Sequence, residues 1–399
     1  RPLLAVTLCG FVVLAQTRPV EHGRIEDLDG IRIVRVWGDA AERGRAHGAM
    51  LGGEIAGLIR AEYEHMFGTD GRLLDVGRAS LDRLIDYPAD VRAELGALFE
   101  GIRASGADLR LELGDRSIDL QDLLFVNAFD VFATLGCSGF TLWGEQVEGG
   151  GVLTTRNFDW PVSGRHIVDS TIVLVRHFED GRAVATVGWP GYLGCVTGVN
   201  SDGAAAFLHV GSGEHGPPEP GSVPTATAAS EVLRTATIDD LPAVAKRWID
   251  ETSPPSSYIS RFVAPRLPIG RATPVAVFEA ETRRAALRDR ERPCVVTNDF
   301  FGDRPEDCSR YRTIVAEVGT CLTSGDTKLS VTEAWAALRA VDRSSAGFAT
   351  LHSLVFRADP WVFELRVGTV DARGNVLSAV RANRRFALSR EQLFHDPRK

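Results

Sequence analysis

Leu135-Gly136-Cys137-Ser138-Gly139-Phe140 and, just downstream, Arg156-Asn157-Phe158-Asp159-Trp160 decide how this chain is read. A peptide bond broken between Gly136 and Cys137 leaves Cys137 as a new N-terminus, with a thiol and an α-amine on one residue. The thiol has an ordinary pKa of about 8.5 and the amine about 7.7–8.0, so at neutral pH part of the amine is free to take the thiol proton. That is nucleophilic catalysis with a built-in general base and no histidine. Gly136 suits the cutting step. The thiol must attack the carbonyl immediately before it, and a residue without Cβ lets the chain bend there. A Gly-Cys pair alone says little, since most solitary cysteines are small buried apolar residues. The surrounding pattern carries the case.

The chain has 399 residues, enough for one large domain or two ordinary ones with a sizeable core. Apolar residues make up 44% and charged residues 25%, the balance of a soluble globular protein. The net charge is −8 with no Lys/Arg-rich run, which argues against nucleic acid or an anionic membrane as partner. The six cysteines are scattered without zinc-type spacing, so neither a metal nor another cofactor is expected.

Leu3 to Ala15 is an apolar run too short to span a bilayer comfortably. It suits the apolar region of a secretory signal, with Val13-Leu14-Ala15 at the cleavage point and Arg1 as the positive flank. Residues 1–15 therefore read as a signal peptide, and the protein as exported, periplasmic or secreted. A lipid anchor on Cys9 is less favoured because Leu8 is bulky. A cytoplasmic protein with a buried first strand is the other alternative.

Ile31 to Val36 reads as a strand, followed by a long helix with Ile55, Leu58 and Ile59 on one face. His47 on that helix is expected at its surface or in packing, without a second ligand nearby. Leu73 to Ala104 continues helical with a break at Pro88, and Ser117 opens another helix that carries Asn127. The segment 16–136 is thus mainly helical. From Cys137 onward the pattern changes to short strands divided by glycine turns: Ser138–Trp143, Val152–Arg156, Ser170–His177 and Ala183–Trp189. Helices are expected near 226–236, 238–251, 309–318 and 331–341. Strands are expected near 274–279, 285–287, 294–297, 353–357 and 361–367. Gly211 to Pro224 should be an exposed loop. Helical layers framing an antiparallel β core make an α+β sandwich, with the catalytic core over 137–399.

Taken in order, the motifs resemble the N-terminal-nucleophile (Ntn) Cys amidohydrolases. They are Gly44-Arg45-Ala46-His47-Gly48, Leu123-Leu124-Phe125-Val126-Asn127-Ala128, Gly136-Cys137-Ser138-Gly139-Phe140, Arg156-Asn157-Phe158-Asp159, Gly194-Cys195-Val196-Thr197-Gly198-Val199-Asn200, Val296-Thr297-Asn298-Asp299-Phe300 and Ser309-Arg310-Tyr311-Arg312. The nearest likeness is to the autoproteolytic acyl-coenzyme A:6-aminopenicillanic acid acyltransferase family. Acid ceramidase, N-acylethanolamine amidase and the bile-salt hydrolases resemble it more distantly. The resemblance implies a four-layer αββα fold. It also implies autoproteolysis before Cys137, two processed chains that stay associated, and an N-acyl amide or other acyl donor as substrate.

It implies roles as well. Cys137 matches the nucleophile, Arg156 and Asp159 the pair beside it, Asn298 the oxyanion donor through its NH2, and Arg312 the arginine of a Ser-x-x-Arg pattern, with Arg310 as substitute. These fit ordinary chemistry: a cation tunes a thiolate, a carboxylate orients an amine and an amide donates to a developing oxyanion. Asn200 is expected to shape a turn. Phe140, Phe158 and Trp160 suit an apolar wall around the nucleophile. A Cys294–Cys308 disulfide would tether the loop that carries Asn298. Ser138 stands where the family commonly has Thr, Gly139 where Ser or Thr is usual, and Asp299 where relatives often carry His. Two other classes stay open: a papain-like Cys/His peptidase drawing on His166, His177, His209 or His352, and a non-catalytic binding module on the same scaffold.

Overall fold

The computed structural model describes residues 20–131, 136–161, 165–213, 218–252, 255–281, 284–288, 293–300, 305–324, 327–345 and 348–398. The apolar run at 1–15 lies outside them. No helix among the described residues is long and apolar enough to cross a membrane.

Two sheets stack face to face with helices outside each, so the α+β, four-layer αββα order expected from the sequence is the order observed. The larger sheet has nine strands. It begins at the edge with Gly23–Leu28 and Ile31–Trp37, passes to Ile172–His177, and continues as a meander to Arg284–Arg288. Ile31–Trp37 runs parallel to Ile172–His177; every other pairing in this sheet is antiparallel. The segment upstream of Cys137 is therefore not only helical. Its first two strands belong to the same sheet as the downstream core.

The second sheet is ordered Cys294–Val296, Gly136–Trp143, Val152–Pro161, Phe348–Ala358, Trp361–Val367 and Arg385–Ala387. Period-two alternation divides its side chains. Val152, Leu354, Phe356 and Leu365 meet Ile33, Val175, Phe207 and Val277 of the larger sheet in the central core. Phe140, Leu142, Leu153 and Val355 face outward against the helices Ser309–Thr323 and Val331–Ala340 through Ile314, Val318 and Leu338.

The outer face of the larger sheet is covered in two parts. Thr225–Thr235 and Leu241–Glu251 cover one end. At the other lies the upstream helical layer, led by Ala40–Phe67. Asp39 starts this long helix through a reciprocal cap with Glu42. It packs on Ala89–Ala104 at backbone range. A Cβ on Gly44 would lie 2.2 Å from the Glu94 carbonyl oxygen, and one on Gly48 2.0 Å from that of Leu98. The Gly-Arg-Ala-His-Gly motif is thus first a helix-packing device. His47 is not at the surface but fully buried.

Tyr258–Val263 is a strand that the sequence pattern does not announce. The expected Cys294–Cys308 bridge is absent: both are thiols, as are Cys137, Cys195 and Cys321. Cys294 points into the core between the sheets, whereas Cys308 caps the helix Ser309–Thr323 on the outer face. The stretch before Pro224 is not wholly exposed either, since Ser222 and Val223 are buried.

Candidate active site

Cys137 is the second residue of its strand and pairs with Phe158, while Gly136 pairs with Asp159. The neighbouring strand Cys294–Val296 sets Val296 opposite Gly139. Two further residues in that register bring Asn298 level with Cys137. The backbone N–H of Cys137 donates to Asn298 Oδ1 at 2.9 Å. Asn298 Nδ2 donates to the Val210 carbonyl at 2.8 Å. Its partners fix the amide's orientation, since N–H groups only donate and a carbonyl only accepts. The oxygen, not the NH2, faces Cys137.

Arg310 is the arginine of this site. Its Nη1 donates to the Cys137 carbonyl at 2.9 Å and to Asp159 Oδ2 at 3.1 Å, and its Nη2 to Asn298 Oδ1 at 2.6 Å. One planar fork thus joins nucleophile, carboxylate and amide. Arg312, the residue favoured from the Ser-x-x-Arg likeness, is directed elsewhere. It donates to the carbonyls of Glu306 and Asp307 at 2.7 and 2.9 Å near the surface. Residues 310, 314 and 318 share one helical face, and Ile314 and Val318 are its buried members. Arg312 is two places out of phase with that face. This was readable from the sequence.

Arg156 and Asp159 are both fully buried, yet they are not a pair. An odd spacing on a strand sends them to opposite faces. Asp159 bonds Arg310 and accepts from Thr350 Oγ1 at 2.6 Å. Burial pushes its carboxyl up, opposed first by Arg310 and then by the Thr350 hydroxyl. Arg156 lies on the Cys137 side, its guanidinium 5.1 Å from the Phe158 ring centre, and none of its three nitrogens meets a hydrogen-bond partner of ordinary geometry. Its charge acts on the thiol. Burial pushes Cys137 up, and Arg156 is the strongest influence opposing this; Arg310 also pulls down while Asp159 pushes up. The Sγ donates weakly to the Leu208 carbonyl at 3.6 Å.

The histidines available to a Cys/His mechanism are placed otherwise. His352 Nε2 is 2.9 Å from Thr197 Oγ1 and its ring stacks on Phe158. Neither nitrogen of His209 hydrogen-bonds the thiol. His177 is held down to about 4 by burial and lies beside Arg35 and the C-terminal residues. The His166 side chain is outside the described residues. Asn200 does shape a turn, accepting from Asp202 and Ala204 and donating to Leu233. Gly139 has a local cause: a Cβ there would sit 2.2 Å from the Thr155 carbonyl oxygen and 2.8 Å from Arg261 Nη2. Among the described residues, no three His, Cys, Asp or Glu side chains converge as metal ligands.

An apolar cleft adjoins this centre. Ile55, Leu58 and Ile59 of the long helix form one wall; Phe129, Trp160, Trp189 and Tyr192 form the other. Trp160 stacks on Phe158 at 5.8 Å, and Phe158 lies across from Cys137 in register. The floor of the cleft is therefore one ring from the nucleophile. Phe158 and Trp160 take the positions expected of them, whereas Phe140 faces the opposite helices. Phe129, Trp189 and Tyr192 carried no sequence signal, because Phe129 comes from one short turn and Trp189 and Tyr192 from a loop some sixty residues further on.

No family model matches the chain. Among curated proteins, it is 25% identical to Protein dcd1B of Dictyostelium discoideum over 185 residues, which cover 43% of this chain and 37% of that protein. The chain thus aligns with little more than a third of that relative's length. Solved structures with partial likeness include a Caenorhabditis elegans N-acylethanolamine-hydrolyzing acid amidase ortholog (14% identity, TM-score 0.42, 55% of this chain and 92% of that one). A mutant of the conjugated bile acid hydrolase from Clostridium perfringens gives 11%, 0.44, 63% and 96%. Penicillin V acylase from Agrobacterium tumefaciens gives 15%, 0.40, 58% and 83%.

Proposed function

We propose that this chain is an autoproteolytically activated N-terminal cysteine amidohydrolase of the Ntn type that acts on N-acyl amides through a thioester, or an acyltransferase by the same route. The observation that carries the reading is the junction at Cys137, where Asn298 Oδ1 holds the backbone nitrogen and Arg310 holds the carbonyl. Beside it, Arg156 presses a fully buried cation on the thiol. A structural cysteine needs none of these.

In the cutting step, Sγ attacks the Gly136 carbonyl carbon and gives up its proton. The C–N bond breaks, the nitrogen leaves as the Cys137 amine, and Gly136 is held as a thioester. Water opens the thioester, leaving a Gly136 carboxylate and a free thiol. The new amine then lies where the amide nitrogen now meets Asn298 Oδ1, which can hold its protonated form. In turnover it takes the thiol proton, the sulfur attacks the acyl carbonyl, and the proton passes to the leaving amine. Water or a second amine then receives the acyl group. Arg156 and Arg310 stabilise the anionic sulfur in a site shielded from water. The acyl chain would occupy the apolar cleft, whose lining is aliphatic and aromatic side chains as in small-molecule sites.

Intact mass after thiol alkylation tests the cut and the reactive thiol together. Two chains, ending at Gly136 and beginning at Cys137, are expected. Within a panel of N-acyl amines, lactones and small peptides, activity should appear on the N-acyl amines. A single uncut chain with full activity on an N-acyl amide would defeat the mechanism, and turnover confined to unacylated peptides would defeat the substrate class.

A further inference from the structure

Two motifs upstream of Cys137 remain without a chemical role: His47 in the long helix and Asn127 at the end of Leu120–Asn127. Both side chains are at least 98% buried, and both reach across to the same short loop downstream of the cut. The loop lies between the strands Ala183–Gly188 and Thr197–Asn200 and carries Trp189 and Tyr192, two aromatic walls of the cleft. His47 Nε2 accepts from the Gly191 N–H at 3.1 Å. Asn127 Nδ2 donates to the Gly191 carbonyl at 2.9 Å, and Asn127 Oδ1 accepts from the Leu193 N–H at 2.8 Å. Three backbone groups of a loop without ladder partners are thus satisfied by upstream side chains. Burial holds His47 down to about 4, so it stays neutral and able to accept. Gly191 closes the fit: it has φ of +81°, and a Cβ there would lie 2.9 Å from Ile55, which lines the opposite wall.

We propose that the segment upstream of the cut sets acyl-chain selectivity, with His47 and Asn127 as positioning residues that clamp the Trp189–Leu193 loop against the helix bearing Ile55, Leu58 and Ile59. This rests on the functional reading above, in that the cleft takes the acyl chain. The occupant is a linear, apolar acyl tail. Both walls are apolar apart from Glu62 on the long helix, and the aromatic wall is locked by Phe129, whose ring centre is 4.8 Å from those of Trp160 and Tyr192. The upstream segment is then half of the binding site and not a spacer removed from it. Without the clamp, the loop's freed N–H and C=O groups draw water, and the aromatic wall shifts.

The experiment uses processed wild type, Asn127→Ala, His47→Ala and Leu58→Trp. The last fills the cleft from the upstream side without touching a hydrogen bond. Binding of a fluorescent long-chain fatty acid is titrated, and kcat/KM is measured for acetyl and palmitoyl amides of one amine. The clamp variants should weaken fatty-acid binding by roughly three- to tenfold and lower the palmitoyl-to-acetyl ratio by a similar factor. Leu58→Trp should do so by about tenfold or more. His47→Gln, which can still accept at the loop, should recover part of the loss. The proposal is overturned if wild type does not bind the fatty acid. It is overturned equally if the variants bind it like wild type, or if both substrates lose activity together with the ratio preserved. Should the clamp variants fail to fold or process, Leu58→Trp decides alone. If wild type is processed and binds the fatty acid but cleaves no N-acyl amide, the functional reading fails while the clamp is still judged by binding.

Discussion

Arg310 and Arg312 stand two places apart and make opposite forecasts. Arg310→Ala leaves Asp159 in a fully buried site without its cation, a loss of about 3–5 kcal/mol by the usual behaviour of broken buried pairs. Its thermal midpoint should fall sharply, and processing should fail on a denaturing gel. Arg312→Ala removes only surface carbonyl contacts and should stay within about 0.5 kcal/mol of wild type, fully processed. Asn298→Ala removes the acceptor that holds the Cys137 nitrogen and should lower kcat by roughly 10- to 100-fold, the effect of losing a hydrogen bond to a charged amine, about 1.5–3 kcal/mol. Full kcat in a processed Asn298→Ala enzyme would remove Asn298 from the site. Asp130 supplies a pH test. It is buried, accepts from the Ala226 N–H at 2.9 Å, and is pushed up by burial to about 7. Below about pH 4 the carboxyl is protonated in both folded and unfolded chains, and no penalty applies. Between about 4 and 7 the unfolded chain ionises first, so stability falls as pH rises; above 7 the penalty is complete, at roughly 4 kcal/mol. Asp130→Asn keeps an acceptor for Ala226 and does not ionise. The difference between the two melting temperatures should grow from pH 4 to 7 and then level off. Parallel curves would refute the assignment.

At the level of elements, the long helix Ala40–Phe67 contains a controlled comparison. Gly48→Ala would place a methyl 2.0 Å from the Leu98 carbonyl oxygen, so the helix pair must separate. A loss of about 1–3 kcal/mol or more is expected in denaturant titration. Gly53, further along the same helix, has nothing within 4 Å, and Gly53→Ala should gain about 0.5–1 kcal/mol from helix propensity. Equal effects at the two sites would mean that the close packing is not as described. The same scale shows what the sequence discloses. Strands such as Ile172–His177 and the second half of Phe348–Ala358 are read from apolar runs, and the long helix after Asp39 from its apolar face; the reciprocal caps at Asp39 and Ser330 are seen only in the structure. Tyr258–Val263 escapes because Ser260 and Arg261 break its apolar pattern, although the whole strand is buried. Gly23–Leu28 escapes because it is an edge strand with Arg24, Glu26 and Asp27. In the site, the residues close to one another in sequence were legible, and so was Asn298 through its motif. The role of Arg310 and the opposed faces of Arg156 and Asp159 follow from periodicity, which a motif comparison passes over. The aromatic wall and the His47–Asn127 clamp depend on tertiary approach alone.

For the molecule as a whole, the two products of the cut should not part. Arg32–Trp37 of the upstream piece pairs along its length with Ile172–His177 of the downstream piece, and Ile31 and Ile33 lie in the core between the sheets. Processed protein should elute as one species in size exclusion and resolve into two only in denaturant. Spontaneous loss of the smaller chain in buffer would contradict the sheet order. Cys137→Ala should give a single folded chain of full length with no activity, seen by intact mass.

Gly136 lies directly across the ladder from Asp159, and both are out of contact with water. Hydrolysis of the bond after Gly136 creates a second carboxyl group facing the first. Two acids that close must share a proton or draw apart. Asp159 is anchored on two sides, while Gly136 has just become a chain end. The end that withdraws is the one that had been bonded to the Cys137 nitrogen. Self-cleavage would thus work as a latch that springs open under its own charge, freeing the amine and driving off the end that had held it in one irreversible event.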